Sequence, residues 1–215
     1  MRREAIARVI AAYDDPIIRT YSRARFLILR QRFLDEIGQY LPESGPVLDI
    51  GCGFGLFSLY YAATGPGRFI RGVDVNARRI ALARRAAARL GIDNVVYEEA
   101  DARAFKGDGE VAAAYMLDIV HHIPPDTVPP LLGRLHGCLP PGGVLLVKDV
   151  DTRPAPKRWF TWALDKLMAP TTPVRYWSGD ELDAALRAAG FEVRRHAMLD
   201  FLPYPHVIYI ATRRP

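Results

Sequence analysis

The chain has 215 residues, half of them hydrophobic, and a formal net charge of +5. This length and composition predict one α/β domain over residues 1–215 and exclude a chain that is disordered throughout. Two cysteines give neither a disulfide framework nor a metal-ligand spacing, so we predict no metal site. We expect a reduced, cytoplasmic setting, since the sequence shows no signal-peptide pattern and no apolar run long enough to span a bilayer.

The first 45 residues predict helices that flank the sheet. A short helical pattern covers 4–12 and breaks near Pro16, and a longer amphipathic pattern covers 21–41. We expect residues 1–45 to form a helical flank or lid.

From residue 47 onward, short apolar runs alternate with helical patterns. The predicted strands cover 47–50, 69–73, 95–98, 111–117, 144–147, 191–197 and 207–212. Alternation of this kind predicts a parallel sheet with right-handed crossovers. The last two strands have no helix between them, so one of them should run antiparallel.

A glycine-rich turn follows the first predicted strand. Gly51, Gly53 and Gly55 stand at alternating positions before a helical pattern, and Asp49 precedes the first of them by two residues. We expect this turn to bring backbone N–H groups close to a ligand. The carboxyl end of a strand is also where open α/β sheets bind their ligands.

The spacing of these residues distinguishes between two kinds of cofactor. A dinucleotide fold requires G-x-G-x-x-G, whereas this turn reads G-x-G-x-G. Asp74, at the end of the second strand, would bind a ribose in either case. The Asp49 carboxylate would repel a pyrophosphate at the turn but attract the ammonium of an amino acid. A nucleoside with an amino-acid tail, such as S-adenosylmethionine, satisfies both ends of the site.

Five segments resemble, in order and spacing, the successive motifs of class I S-adenosylmethionine-dependent methyltransferases. They are VLDIGCGFG at 47–55, GVDVN at 72–76, EADAR at 99–103, YMLDIVHHI at 115–123 and LPPGGVLLVKD at 139–149. The resemblance implies a Rossmann-like, three-layer αβα fold with a seven-stranded, mostly parallel sheet and an antiparallel last strand. It also implies S-adenosylmethionine as the cofactor and S-adenosylhomocysteine as the product.

The resemblance also implies roles for individual residues. Asp49 would lie near the methionyl ammonium, Asp74 would accept hydrogen bonds from the ribose hydroxyls, Val75 would pack on the adenine, and Asp101 would accept from its amino group. The implied cofactor set is Asp49, Gly51, Cys52, Gly53, Gly55, Asp74, Val75, Asp101, Ala102 and Leu117. The alternatives are a helix N-cap for Asp74 and a turn-forming role for Asp101.

Asp118, His121 and His122 follow the fourth strand, at the mouth of the predicted site, and form the predicted catalytic set. Methyl transfer needs a general base only when the nucleophile must lose a proton early. A histidine here could take that proton. The alternative is that it caps or packs the next helix, and the sequence does not choose between the two histidines.

A second polar cluster, Lys148, Asp149 and Asp151, ends the fifth strand. Asp149 and Asp151 are candidate substrate contacts, with a structural salt bridge as the alternative. Residues 152–177 depart from the regular alternation and predict a helical insertion over the substrate site. The predicted substrate set is Tyr21, Asp149, Asp151, Trp159 and Trp177.

The insertion combines aromatic and basic residues over 157–168. Together with Tyr13, Tyr21 and Phe26 it could form an apolar roof over the substrate. We therefore predict O- or C-methylation of a small, hydrophobic acceptor such as a quinone precursor, polyketide, isoprenoid or lipid. The same stretch could contact the anionic inner face of a membrane. The alternative is a core-facing helix with snorkelling lysines.

Three other functions compete with this prediction. The isoelectric point of about 9.4 makes an RNA methyltransferase the alternative, but basic and aromatic residues do not interleave as in a stacking platform. The others are a nicotinamide-dependent oxidoreductase and a silent binding module. The sequence thus favours a small molecule over nucleic acid and predicts no particular oligomeric state.

Overall fold

The computed structural model describes residues 2–102, 111–152, 175–198 and 206–214. Its strands are β1 (Gly45–Ile50), β2 (Arg68–Asp74), β3 (Val95–Glu99), β4 (Ala113–Leu117), β5 (Val144–Val150), β6 (Phe191–Ala197) and β7 (His206–Arg213). Its helices in these ranges are α1 (Arg2–Ala11), α2 (Pro16–Ile28), α3 (Gln31–Gly38), α4 (Leu56–Thr64), α5 (Ala77–Leu90), α6 (Val128–Cys138) and α7 (Gly179–Ala188). A single 3-10 turn, Val120–His122, follows β4.

The seven strands form one sheet in the order β3-β2-β1-β4-β5-β7-β6. β2 pairs in parallel with both β1 and β3. β7 runs antiparallel to both of its neighbours, β5 and β6. The predicted seven-stranded sheet with an antiparallel last strand is confirmed.

The chain divides into two compact units. In the first, which holds residues 2–102 and Val111–Ala113, the last four residues of β1 are buried, as a parallel strand covered on both faces requires. α4 packs against β2 and β3, and α1 packs against α4. This unit carries the glycine turn.

The second unit contains β5, β6 and β7 with α6 and α7. β7 is buried over its first six residues because it lies between two strands of the sheet. α7 begins with a capping box, in which Ser178 and Glu181 each accept a hydrogen bond from the other's backbone N–H. The hydrogen bond from the Ser178 backbone lowers the pKa of the Glu181 carboxyl.

The helix predicted over 21–41 is two helices, α2 and α3. The chain leaves helical geometry at Leu29 (φ −88°, ψ 82°), and Arg30 is extended (φ −60°, ψ 162°). Leu29 is nevertheless fully buried. The break was not predicted because apolar periodicity continues through it and neither residue is a helix breaker.

Two of the exposed arginines of α5 form hydrogen bonds outside the helix. The Arg84 guanidinium donates two hydrogen bonds to the Tyr97 carbonyl oxygen, at 3.1 and 2.7 Å. Arg89 donates to the Ala12 carbonyl oxygen at 3.0 Å and forms an ion pair with Asp14. Both side chains therefore fasten other segments to this helix.

Two predictions fall outside the described residues. The helix expected near 158–168, with Trp159 and the membrane contact inferred from it, lies in the gap between 152 and 175. Within the described ranges, none of the helices has the length and apolar character needed to cross a membrane.

Candidate functional site

The glycine turn uses its backbone N–H groups internally. Gly51 and Cys52 both donate to the Val73 carbonyl oxygen, at 2.8 and 3.0 Å, and Gly55 donates to the Cys52 carbonyl oxygen at 2.9 Å. Gly53 donates to the Asp74 carboxylate at 2.9 Å. β2 and the turn itself therefore accept the hydrogen bonds of these four N–H groups.

Two glycines of the turn are required for different reasons. Gly55 (φ +80°) leaves no room for a side chain, since a Cβ there would lie 2.5 Å from the Tyr97 hydroxyl. A Cβ at Gly53 (φ +56°) would meet no atom within 4 Å. The left-handed backbone still favours glycine at position 53, and the space beside it is free for a ligand.

Asp74 is buried at the end of β2, and both of its carboxylate oxygens accept backbone hydrogen bonds. One accepts from Gly53 and the other from Asn76, each at 2.9 Å. Each carboxylate oxygen keeps a further lone pair, so the group can also accept from a ligand. The α5 N-cap is Asn76, not Asp74. The next residue, Val75, exposes 64% of its surface, which is unusual for a valine beside a buried acid.

Asp49 and Cys52 are also buried beside this turn. Burial raises the pKa of the Cys52 thiol well above its ordinary value, and the nearby Asp49 and Asp74 carboxylates raise it further. The thiol therefore stays protonated, which makes Cys52 a poor nucleophile and a poor metal ligand.

The remaining predicted cofactor residues lie at two other strand ends. Asp101 and Ala102 follow β3 and are half-buried, and the Ala100 N–H donates to the Asp74 carbonyl oxygen at 3.0 Å. The residue before Asp101, Ala100, is thus hydrogen-bonded to the last residue of β2. Leu117 is the buried last residue of β4.

Phe54, between two of the glycines, is held by residues from outside the turn. Its carbonyl oxygen accepts a hydrogen bond from the Tyr13 hydroxyl at 2.7 Å. Its ring meets the edge of Tyr21, a predicted substrate residue, with centroids 5.6 Å apart. The Arg79 guanidinium lies 5.5 Å from the same ring centroid. In this structure, Tyr21 contacts the turn itself.

In the second unit, His121 and Asp149 form a buried pair. The His121 Nδ1 lies 2.5 Å from one Asp149 oxygen, and the other oxygen accepts the His121 backbone N–H at 3.2 Å. Asp149 also accepts from the Val150 N–H at 2.7 Å. Asp149, a predicted substrate contact, is thus bonded within the protein through both oxygens. His122 lies beside the pair, with its ring centroid 4.1 Å from that of His121.

Asp118 belongs to a different ion pair. Its carboxylate lies 2.5 Å from the Lys148 Nζ, and the Lys148 side chain is fully buried. Lys148 and Asp149 are successive residues of β5, so their side chains leave the strand on opposite faces. Asp118 also has a left-handed backbone (φ 56°). Removal of Asp118 would leave the fully buried Lys148 ammonium without this partner, so a structural role for the pair is the alternative to the predicted catalytic role of Asp118.

The segment before α7 lies against His121. The Arg175 N–H donates to the His121 carbonyl oxygen at 2.9 Å, and the Tyr176 ring centroid is 5.5 Å from that of His121. The Arg175 guanidinium lies 5.4 Å from the ring centroid of Trp177, a predicted substrate residue. Asp151, the other acidic candidate, accepts the Gly179 N–H at 3.3 Å, at the start of α7.

The sequence did not predict that Tyr97 and Tyr13 contact the glycine turn. Tyr97 is buried behind the turn, and its hydroxyl lies 3.1 Å from the Ser58 Oγ and 3.3 Å from the Gly55 carbonyl oxygen. Tyr13 was predicted only as part of an apolar roof. A tyrosine at a buried position was the one available signal, since its hydroxyl must find a partner there.

Comparison with known proteins agrees with this architecture. The family model described as "Methyltransferase domain" matches residues 21–196. Trans-aconitate 2-methyltransferase from Pseudomonas paraeruginosa is 31% identical over 147 residues, which cover 66% of this chain and 50% of that protein. The chain thus spans about half the length of this relative.

Two solved structures share the fold. The S-adenosylmethionine-dependent methyltransferase SibL, in its apo form, aligns with a TM-score of 0.70 and 21% identity over 93% of this chain and 58% of its own. The magnesium protoporphyrin IX methyltransferase of Synechocystis PCC 6803, with bound S-adenosylhomocysteine, gives a TM-score of 0.65 and 19% identity. That alignment covers 85% of this chain and 82% of the other.

Proposed function

We propose that this chain, which belongs to the class I S-adenosylmethionine-dependent methyltransferases, methylates a small, apolar acceptor at oxygen or carbon. Quinone precursors, polyketides, isoprenoids and lipids are the acceptor classes we favour. The observation that carries the proposal is the imidazole of His121, which is held by Asp149 and lies beside the ring of Tyr176. Such a group can remove a proton from a phenol, an enol or an activated carbon.

The glycine turn supports this cofactor over a dinucleotide. A pyrophosphate site requires backbone N–H groups that are available to the phosphates. Here the N–H groups of Gly51, Cys52, Gly53 and Gly55 donate within the protein. S-adenosylmethionine presents no phosphate and supplies a methyl group that is already activated by its sulfonium.

We assign the cofactor contacts to residues of the first unit. The lone pairs left on the Asp74 carboxylate would accept from the ribose hydroxyls, and exposed Val75 would be covered by the adenine. The open space beside Gly53 leaves room for the ligand to approach the backbone of the turn. The buried Asp49 carboxylate provides the negative charge that an amino-acid ammonium requires.

On the acceptor side, Asp149 orients the base. Its bond to His121 Nδ1 keeps a proton on that nitrogen, so Nε2 is the nitrogen that accepts the proton of the methyl acceptor. Once His121 is protonated, the adjacent carboxylate stabilises the imidazolium. Asp149 is therefore a positioning residue, and His121 is the general base.

Tyr176, whose ring lies beside that of His121, and the following Trp177 support an apolar acceptor. Tyr176 and Trp177 follow one another in the segment that bonds to the His121 carbonyl through Arg175. The relatives named above act, by their names, on trans-aconitate and on magnesium protoporphyrin IX. Both are small molecules.

The proposal is tested by a panel of acceptors with S-adenosylmethionine labelled in its methyl group. We expect label to enter a prenylated hydroquinone or another apolar phenol, and not trans-aconitate or total RNA. The His121→Asn variant serves as the control, because it should lose transfer to every true acceptor. Transfer to trans-aconitate or RNA alone, with no label in the apolar phenols, would overturn the proposed acceptor class.

A further inference from the structure

The glycine turn depends on neighbouring groups for its conformation, and β2 already accepts hydrogen bonds from it at Val73 and Asp74. Gly51, Gly53 and Gly55 all have positive φ angles, at 76°, 56° and 80°. Glycine loses more conformational freedom on ordering than any other residue. A turn built in this way binds a ligand tightly only if neighbouring groups hold its conformation beforehand.

Phe54 is the residue through which the N-terminal helices can hold the turn. The Tyr13 hydroxyl donates to its carbonyl oxygen at 2.7 Å, across 41 residues of sequence. The ring of Phe54 contacts Tyr21 edge to face, at an interplanar angle of 66°. A shift of Phe54 would move Gly53 and Gly55, the residues on either side of it.

Tyr13 is itself fixed in place. Its side chain is 1% exposed, and its carbonyl oxygen accepts a hydrogen bond from Arg19 at 3.2 Å. Arg89 of α5 binds the preceding carbonyl oxygen, that of Ala12, at 3.0 Å, and pairs with Asp14. Burial raises the pKa of the Tyr13 phenol, so the hydroxyl remains a hydrogen-bond donor throughout the physiological range.

We propose that Tyr13 is a positioning residue for the cofactor: through Phe54 it holds the glycine turn in its binding conformation. This inference rests on the proposed cofactor site. It adds that the α1–α2 junction, residues 12–16, is energetically coupled to cofactor binding. Such coupling is reciprocal, so the cofactor should in turn stabilise the junction.

The chain offers a matched control. Tyr61 is as buried as Tyr13, and its hydroxyl also donates to a main-chain carbonyl oxygen, that of Leu34, at 3.1 Å. This bond joins α4 to α3 and does not involve the turn. Tyr13→Phe and Tyr61→Phe therefore each delete one buried hydroxyl of the same kind.

Both variants should lower the melting temperature, but only Tyr13→Phe should weaken binding of S-adenosylhomocysteine. We expect a loss of about 2- to 10-fold by isothermal titration calorimetry, the range of one hydrogen bond. The KM for S-adenosylmethionine should rise by a similar factor, while kcat at saturating cofactor stays the same. If the hydroxyl had only a structural role, the KM for S-adenosylmethionine would not rise while kcat stayed the same.

Hydrogen exchange provides the second measurement. S-adenosylhomocysteine should slow amide exchange over residues 12–16 in the unmodified chain, and the effect should shrink in Tyr13→Phe. Arg89→Gln removes the contacts of Arg89 with Ala12 and Asp14, so it should also lower the affinity for S-adenosylhomocysteine. This second variant tests the inference if Tyr13→Phe folds poorly.

Equal affinities for S-adenosylhomocysteine in Tyr13→Phe and Tyr61→Phe, with no protection of residues 12–16, would overturn the inference. The Asp74→Ala variant separates this outcome from failure of the proposed site. If Asp74→Ala loses affinity while the two tyrosine variants behave alike, only the role of Tyr13 is wrong. If Asp74→Ala binds normally, the cofactor site itself is misplaced.

Discussion

Replacement of His121 with asparagine is expected to lower kcat by roughly 10²- to 10⁴-fold, the usual contribution of a general base. The asparagine amide can still donate toward Asp149 but offers no nitrogen in place of Nε2. Affinity for S-adenosylhomocysteine should be unchanged, because the proposed base does not bind the cofactor. Steady-state kinetics and calorimetry on the same preparation measure the two quantities.

The neighbouring histidine supplies the control for this experiment. His122 lies with its ring centroid 4.1 Å from that of His121, yet the Asp149 carboxylate bonds to the ring of His121. His122→Asn should therefore keep most of the activity and the acidic limb of the pH–rate profile, whereas His121→Asn should lose that limb. A large loss in His122→Asn with normal turnover in His121→Asn would assign the base to the other residue.

Asp74→Ala is expected to weaken binding of S-adenosylhomocysteine by roughly 100-fold or more. The variant removes two hydrogen bonds from the ribose hydroxyls to a charged group, each worth about 1.5–3 kcal/mol. It also removes the partner of the Gly53 N–H, so part of the loss would come from the turn. Calorimetric titration gives the affinity, and thermal unfolding shows how far the fold is affected.

Asn76→Ala is the matched control for Asp74→Ala. The Asn76 side chain caps α5 by accepting the Arg79 N–H at 3.0 Å, two residues from Asp74. Its loss should cost about 1 kcal/mol of stability, as for other N-caps, with little change in affinity. An unchanged affinity in Asp74→Ala, or an equal loss in both variants, would refute the ribose contact.

The strand pattern was predictable because each buried strand is a short apolar run between turn signals. β7, for example, is buried over its first six residues and extends only one residue beyond the predicted 207–212 at each end. β4 begins at Ala113, two residues later than predicted, since apolar composition extends past the hydrogen-bonded part of a strand. At Leu29 the failure was different, because nothing in the local composition indicates that a helix should end there.

The positions of the candidate residues at strand ends were predictable, but the pairs they form were not. Asp49, Asp74 and the glycines stand at strand ends, which the sequence reveals. The hydrogen-bond partner of each polar group depends on the tertiary structure. His121 and Asp149 are 28 residues apart and meet because they lie near the ends of β4 and β5. The same limit applies to the turn, where the Gly51 and Cys52 N–H groups donate to the Val73 carbonyl oxygen.

These pairings suggest different roles for the residues of the two units. The first unit carries a turn, an acid and an exposed valine suited to a nucleoside with an amino-acid tail. The second carries an oriented imidazole and two aromatic residues suited to an acceptor that must lose a proton. Variants of the two sets should therefore separate cofactor affinity from turnover, as Asp74→Ala and His121→Asn are designed to show.

The most direct measurement is a crystal structure of the chain with S-adenosylhomocysteine. We expect the adenosine beside Gly53, its ribose hydroxyls on Asp74 and its adenine against Val75. S-adenosylhomocysteine bound away from these residues, or a turn that binds a nicotinamide dinucleotide in its place, would contradict this expectation.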